Sequence, residues 1–444
     1  MELRELTLEE YAGFLDEADV AWNYMQSPRF IKSHLGNRDI KIYGAEEDGK
    51  LLYAFYVMFR PAMKLFKYAY SPREWVPAAP ELMKDEKRIR EMTEKASERL
   101  KAEGAVLWMF ESNVEYEPHD ASGKVLDAFN NEPYRDMLVR AGFEKSPLWT
   151  GYDDSRLSRW VSWIDLQKGL QEKALGFPTN RDNGLEEYTW KELLKQMSGN
   201  TRRSFQKTDL PYIEVVATPG DSDFDLTVFD ELMECSAEKH HFSAAGGAER
   251  RDLLKAFGDK GYVTVSYLNM PAYEKFLHDK ADEFAAAEKA ALEVCEKMPN
   301  SKKKLNQLKE IQEQKSHNEK ELAALDELKK TETAERIPLA GGLFLETPTE
   351  MLYLYGGSRP DLARYMGPYA VQKVMIHKAL DHGLQRYNFW GISGNFEPDQ
   401  EGYGVFYFKK NLGATVGEYC GEFIRPLKPA LARTVLKRIR PQIA

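Results

Sequence analysis

Only three cysteines occur in 444 residues, Cys235, Cys295 and Cys420, far apart and outside any CxxC spacing. A disulfide framework is therefore not expected, and the three read as reduced thiols. No apolar run approaches the length that a membrane span needs. The first residues, MELRELTLEEYAGF, are acidic and amphipathic, without the basic-then-apolar order of a secretion signal, so a cytoplasmic setting is expected. There is no GxxxxGK[ST] loop, which argues against nucleotide hydrolysis. His240-His241 lacks HExxH spacing and no Cys/His cluster exists, so no metal and no cofactor is expected. Basic charge is also in short supply. A net charge of −9 excludes a surface uniformly coated for nucleic acid, while leaving room for a local basic patch.

What is present reads as a folded α/β chain, 43% hydrophobic and 12% aromatic. A helix from Leu8 is followed by the strand pair DIKIYGAEEDG and LLYAFYVMFR, turning at Asp48-Gly49. The charged helix ELMKDEKRIREMTEKASERLKAEG ends at Gly104, the strand AVLWMFES follows, and a helix through EPYRDMLVR stops at Gly142. A similar order returns. The strand WVSWIDL, one helix over TWKELLKQMSGNTRRSFQK, the strand YIEVVAT, the helix DFDLTVFDELMECSAEKHH and the strand GYVTVSYLN come in turn. Later come GGLFLET, MLYLYGG, a long helix ARYMGPYAVQKVMIHKALDHG and the strand QRYNFWGI. Two successive α+β units of matching order point to duplication, without a repeat at residue level.

Inserted within the second unit, from Ala272 to about Glu335, lies a stretch rich in Ala, Glu, Lys and Leu. Leu277, Ala281, Phe284, Ala287 (or Glu288), Ala291, Val294 and Met298 step by about three and four, a coiled-coil seam. Leu305, Leu308, Ile311, Leu322, Leu325 and Leu328 supply the return, with Lys315 and Asn318 interrupting it. Two antiparallel helices turning at Pro299-Asn300 are expected to project as a hairpin, each arm of about 25–30 residues reaching roughly 40 Å. The hairpin is expected to pack mainly on itself.

Two clusters mix cations with aromatics. NYMQSPRFIK holds Tyr24, Arg29 and Lys32, and SGNTRRSFQK holds Arg202, Arg203 and Lys207. Either suits a phosphate, and either serves equally as a solvated helix face. The tail carries Arg425, Lys428, Arg433, Lys437, Arg438 and Arg440 with no acid among them, a patch for phospholipid or RNA, or simply a basic end. RYMGPY approaches the RxxGxG/A loop of acyl-CoA enzymes, but Pro368 removes a backbone donor and Tyr369 replaces a small residue, which disfavours coenzyme A. GVFYFKKNLGA, 404–414, alternates as a strand, with Lys409 on one face and Phe408 and Lys410 on the other. Lys409 then caps a solvated strand or aims a cation into a site.

WGISGNFEP, GVFYFKKNLGA and VGEYCGEFIRPL, taken together, resemble the C-terminal hallmark of the Fem family of peptidoglycan-precursor aminoacyltransferases. ECSAEKHHFS and TRRSF resemble further motifs of that family, and the inserted hairpin is similar to its coiled-coil arm, itself like the tRNA-binding arm of seryl-tRNA synthetase. The resemblance implies an α/β (α+β) fold of two tandem acyltransferase-like (GNAT) subdomains with an inserted antiparallel arm. Residues 1–150, joined by part of 395–444, would form the first subdomain, 151–271 with 336–394 the second, and 272–335 the arm. It implies transfer of an amino acid from aminoacyl-tRNA to an amine of a UDP-linked or lipid-linked muropeptide precursor. By motif position Lys32 and Arg202 would hold the precursor's phosphates, with Arg203 and Tyr24 beside them, and Phe408 and Lys409 would form the transfer site. Lys302, Lys303 and Lys304 at the arm's turn would meet tRNA, and the basic tail would meet the inner membrane face.

Three departures accompany the likeness. Glu111-Ser112 stands where the family has DP, SRLSRW lacks a QPR, and Leu412 replaces a common aromatic. In the mechanism so implied, Lys409 steadies the oxyanion, the Phe408 carbonyl orients the amine, and Glu111 is a candidate base. An adaptor that binds without turnover, or an acyl-CoA-dependent N-acyltransferase, are the alternatives.

Overall fold

A computed structural model describes residues 1–36, 38–63, 66–153, 155–240 and 246–442, with only the backbone of 238–240. Turn chemistry sets the first register. Asp48 and Gly49 both adopt positive φ (52° and 77°), the two-residue turn that suits the twist of paired strands, and Asp39–Glu47 folds back on Lys50–Ala62.

Among the described residues the strands form two sheets of eight. The first runs Glu2–Glu5, Asp39–Glu47, Lys50–Ala62, Phe66–Ser71, Ala105–Glu111, Glu422–Pro426 and Glu144–Lys145, with Val76–Pro77 paired to Lys50–Ala62. The second runs Ile213–Pro219, Gly261–Asn269, Arg336–Glu346, Glu350–Ser358, Arg386–Ile392, Trp160–Asp165, Thr415–Tyr419 and Glu115–Pro118. Each sheet holds a parallel pair joined by a crossover helix, Glu86–Ala102 in the first and Gly367–Asp381 in the second. The second pair keeps register only from Glu350↔Arg386 to Leu352↔Asn388. Beyond that the strands part, leaving a V-shaped mouth at their C-terminal ends.

The two units are interleaved. Glu115–Pro118 leaves the first to edge the second sheet, and the chain end supplies Thr415–Tyr419 to one sheet and Glu422–Pro426 to the other. One apolar core joins Tyr24, Phe30 and Ile31 to Leu254, Phe257, Val265 and Leu343. Arg29 crosses the same boundary, donating to the Phe257 carbonyl and, at 2.9 Å, to Asp259.

The hairpin consists of Met270–Lys297 and Lys302–Thr331. Its polar interruptions have partners. Lys315 Nζ lies 2.7 Å from Glu288 across the seam, and Asn318 Nδ2 donates to the Leu277 carbonyl at 2.9 Å. The expectation of self-packing holds only for the outer part. Tyr273, Leu277 and Leu325 are buried with Leu268, Ile337, Leu339, Leu362 and Tyr365 of the body, so the base of the arm belongs to the body's core.

The helix expected over residues 189–207 is two helices. Trp190–Gln196 ends at Met197, and Ser198 caps Gly199–Lys207 by accepting from the Thr201 N–H. Before Gly367–Asp381 the chain makes a separate 3₁₀ turn, Pro360–Tyr365. Among the described residues no helix is long and apolar enough to cross a membrane.

Candidate active site

GVFYFKKNLGA is not a strand. Tyr403–Asn411 is a helix, entered through Gly402 at φ +81°. Burial shows why alternation misled. Phe406, Lys409 and Leu412 are inside while Val405 and Tyr407 are 42% and 48% exposed, a period of three rather than two. Lys410 is thus a helical neighbour of Lys409, not its opposite face, and lies half-buried over the Phe406 ring.

Lys409 is 5% exposed beside the C-terminal end of Arg386–Ile392. Its Nζ donates to the Gly391 carbonyl at 2.7 Å and the Trp390 carbonyl at 3.3 Å. Both carbonyls turn toward it through a bulge in Arg386–Ile392, where register shifts between Asn388 and Gly391 and Trp390 takes φ +63°. Asn388 Oδ1 steadies that bend by accepting the Trp390 N–H at 2.8 Å. At Gly391 a Cβ would lie 2.4 Å from Ser158 Oγ, so only glycine fits there. Burial pushes the Lys409 amine down to about 7. A buried amine titrating near neutrality is a functional signal.

Two motifs distant in sequence are one unit here. Ser198 N–H and Thr201 Oγ1 both donate to the Asn411 carbonyl, at 3.0 and 2.8 Å. Rings run from Phe205 through Tyr369 to Phe408, with centroids 6.0 and 5.5 Å apart. TRRSF is therefore docked on the lysine helix. The Phe408 carbonyl already accepts the Leu412 N–H at 3.3 Å, so an incoming amine would share it. Arg202 is exposed but spends Nη1 on the Met197 and Leu194 carbonyls, at 2.7 and 3.3 Å, closing the preceding helix. Arg203 is exposed and bonded to Asn200.

The other expected residues are more scattered. Lys32 is exposed on Pro28–His34, with no side-chain partner among the described residues. Tyr24 is 3% exposed, edge-on to Phe30 and Trp390, and serves the core rather than an open surface. Glu111 is 2% exposed, taking bonds from Tyr70 at 2.7 Å and the Leu157 N–H at 3.3 Å, with Arg440 at 3.9 Å. None of its partners touches Lys409. Lys302 and Lys303 are exposed at the hairpin turn, and Lys304 bonds Gln307. In the basic tail Arg440 is buried on Glu422 and Arg425 donates to the Ala141 carbonyl, so the free cations are fewer than the sequence count. In RYMGPY, Gly367 is packed where a Cβ would meet Leu339. His241 to Ser243 of ECSAEKHHFS lie outside the described residues.

Sequence reasoning missed Asn388 and Arg73, and took Trp390 only as the first residue of WGISGNFEP. Arg73 is fully buried, 4.1 Å from the Tyr419 ring and 5.6 Å from Trp390, and donates to the Ser112 and Ser158 carbonyls. Asn388 and Trp390 lie on Arg386–Ile392, the strand whose carbonyls hold Lys409, and Arg73 reaches the Trp390 ring from the first unit.

The FemAB family model matches residues 6–437. Aminoacyltransferase FemA of Staphylococcus aureus is 27% identical over 454 residues, in strain bovine RF122 / ET3-1 and in strain MW2 alike, covering 100% of both chains. The crystal structure of FemX superposes with a TM-score of 0.74 at 20% identity, covering 98% of this chain and 99% of that one, a likeness of fold.

Proposed function

The chain belongs to the FemAB family, and from that premise we propose that it moves an amino acid from aminoacyl-tRNA to an amine of a peptidoglycan-precursor stem peptide. The observation that carries the reading is Lys409, a buried amine held on two carbonyls at the C-terminal end of Arg386–Ile392.

The ester of a charged tRNA is already activated, so aminolysis needs no nucleotide. The acceptor nitrogen attacks the ester carbon, the carbonyl oxygen gains charge, and the carbon–oxygen bond to the ribose breaks. The proton leaves the nitrogen and ends on the ribose hydroxyl. Lys409 as an ammonium donates to the oxyanion in a site with little water. Alignment of amine and ester supplies much of the remaining acceleration. Glu111, enclosed and bonded, is not assigned the proton transfer.

The pH profile should carry a signature of Lys409. A lysine acceptor, with a pKa of about 10.4, becomes reactive tenfold per pH unit as pH rises. Lys409 loses its proton above about 7. The two trends cancel, so log kcat/KM should climb with unit slope to about pH 7 and then level off. The proton count is the same if Lys409 enters as the free amine and the acceptor as its cation. In Lys409→Met the break should vanish from the residual rate; a break surviving in that variant belongs to another group.

Lys32 and Arg202 are assigned to the precursor's phosphates. Such contacts bind ground and transition states alike, so Lys32→Ala should raise KM for the precursor with little change in kcat. A fall in kcat at unchanged KM removes the assignment. Lys302 and Lys303 are assigned to the tRNA backbone, and KM for tRNA should rise steeply with salt. Charged tRNA and a UDP-linked acceptor place the reaction in the cytoplasm. The exposed Arg433, Lys437 and Arg438 are the residues that would meet an anionic membrane face if the acceptor is lipid-linked. The reading is tested by offering the protein a mixture of charged tRNAs with UDP-linked and lipid-linked precursors. Mass spectrometry should find a precursor heavier by one amino-acid residue; tRNA binding without any such product makes the chain an adaptor.

A further inference from the structure

A cavity of about 70 Å³ lies in the seam between the two units, apart from Lys409. Its wall carries unanswered polar groups of both kinds. Glu115, 5% exposed, has no hydrogen-bond partner at Oε1, and the indole N–H groups of Trp22 and Trp163 have no acceptor. Burial pushes the Glu115 carboxyl up to about 8, with the Arg386 charge pulling the other way, and the nearby Gln171 amide tempers the shift without reaching bonding geometry. Burial also raises Glu350 on the same wall. Arg386 stands between them, its Nε on Asp165 at 2.8 Å, its guanidinium 4.0 Å from the Trp163 ring. Arg386 is paired with Asp165, and Arg73 acts on Glu350 only from a distance, so among the described residues neither Glu115 nor Glu350 has an ion pair of its own.

A strap closes the seam. The Glu115 N–H donates to the Gly176 carbonyl at 2.8 Å, the Ala21 N–H to the Thr179 carbonyl at 2.7 Å, and Thr179 Oγ1 to Gln385 at 2.7 Å. Residues from both units thus line one partly open space.

An ammonium answers the spare carboxylates. A carboxylate answers the two indole N–H groups. One small molecule carries both, and where about 10–15 Å³ of such space holds a water, this cavity holds only a handful of atoms. A bonded path also leads out of it. Glu350 Oε2 accepts Asn388 Nδ2 at 3.0 Å, Asn388 Oδ1 accepts the Trp390 N–H at 2.8 Å, and the Trp390 carbonyl accepts Lys409 Nζ at 3.3 Å.

We propose that the seam cavity binds one free α-amino acid the size of glycine or alanine, and that its occupancy steadies the Trp390 bend that anchors Lys409. The ammonium sits on Glu115 and Glu350 and keeps them ionised, and an ionised Glu350 holds the Asn388 amide more firmly. Asn388 acts on the chemistry through Trp390 and is a positioning residue. The effect on Lys409 rests on the transfer reading above, whereas the binding itself does not.

Calorimetry on the full chain, without tRNA or precursor, tests the binding with glycine, alanine, alaninamide, N-acetylalanine and phenylalanine. Glycine or alanine should saturate, with the amide and the acetyl derivative each at least about tenfold weaker and phenylalanine excluded. Glu115→Gln should weaken alanine binding by about tenfold or more. If neither glycine nor alanine binds the wild-type protein, or if the capped derivatives bind equally, the cavity holds water only and the proposal falls. In the transfer assay added alanine should raise kcat at unchanged KM, and Asn388→Ala should abolish that response; an identical response in Asn388→Ala removes the path to Lys409. Binding without transfer would overturn the proposed function and keep the site, and transfer without binding would do the reverse.

Discussion

Lys409→Met should lower kcat by about 10²–10³, the cost of removing a donor from a developing oxyanion, and should do so while making the protein more stable near neutral pH. The second half follows from burial. In the unfolded chain this amine keeps its ordinary pKa of 10.5, and in the fold it falls to about 7. Between those values the unfolded state holds more protons, so the stability contributed by this group rises with pH across that window, and its cost is full below about 7. Methionine removes the cost but leaves the Trp390 and Gly391 carbonyls without that donor, each worth about 1 kcal/mol. A net gain of about 1–3 kcal/mol is expected at pH 6–7, shrinking as pH approaches 10. Thermal melts at the two pH values check it. Lys409→Arg should rescue poorly, because a planar fork does not occupy the seat of a compact ammonium. Lys410→Met should stay close to the wild-type rate, since among the described residues the Lys410 ammonium meets only the Phe406 ring. A destabilised Lys409→Met protein would mean that the lysine is a structural anchor rather than a strained functional group.

Shortening the arm should have the next largest effect, provided the cut spares its base. Removing 281–317 and joining Lys280 to Asn318 with a few glycines leaves Tyr273, Leu277 and Leu325 in place. The two ends are already close, because Asn318 bonds the Leu277 carbonyl. This variant should keep its melting temperature and its affinity for precursor. KM for full-length charged tRNA should rise at least about tenfold, the loss expected when several phosphate contacts go, and a short acceptor-stem mimic should be affected much less. Equal losses with both donors would mean that the arm does not touch tRNA. Removing 273–334 instead strips those three side chains from Leu339, Leu362 and Tyr365, and should cost at least the 2–5 kcal/mol of a single large core truncation.

The sequence made some of this plain and hid the rest for physical reasons. Asp48-Gly49 forces a hairpin turn whatever surrounds it, and the arm's seam repeats over enough turns to be read locally. The lysine helix was hidden because four aromatic or apolar residues in a row, Val405 to Phe408, satisfy alternation and helical spacing equally, and only burial at Phe406, Lys409 and Leu412 decides between them. The break at Ser198 was legible in principle, since serine there has the side chain that caps a helix start. Tyr24 looked accessible because its neighbours are polar, but the second unit covers it through Trp390. Asn388 and Arg73 carry no local pattern at all. Their roles arise when two sheets interleave.

The central claim is most directly tested by one turnover with a labelled amino acid on tRNA, wild-type and Lys409→Met proteins compared on the same precursor. The account predicts that label appears in amide linkage on the stem peptide with the wild-type protein, and about 10²–10³ more slowly with the variant. No label in the precursor from any charged tRNA, or equal rates for the two proteins, would contradict it.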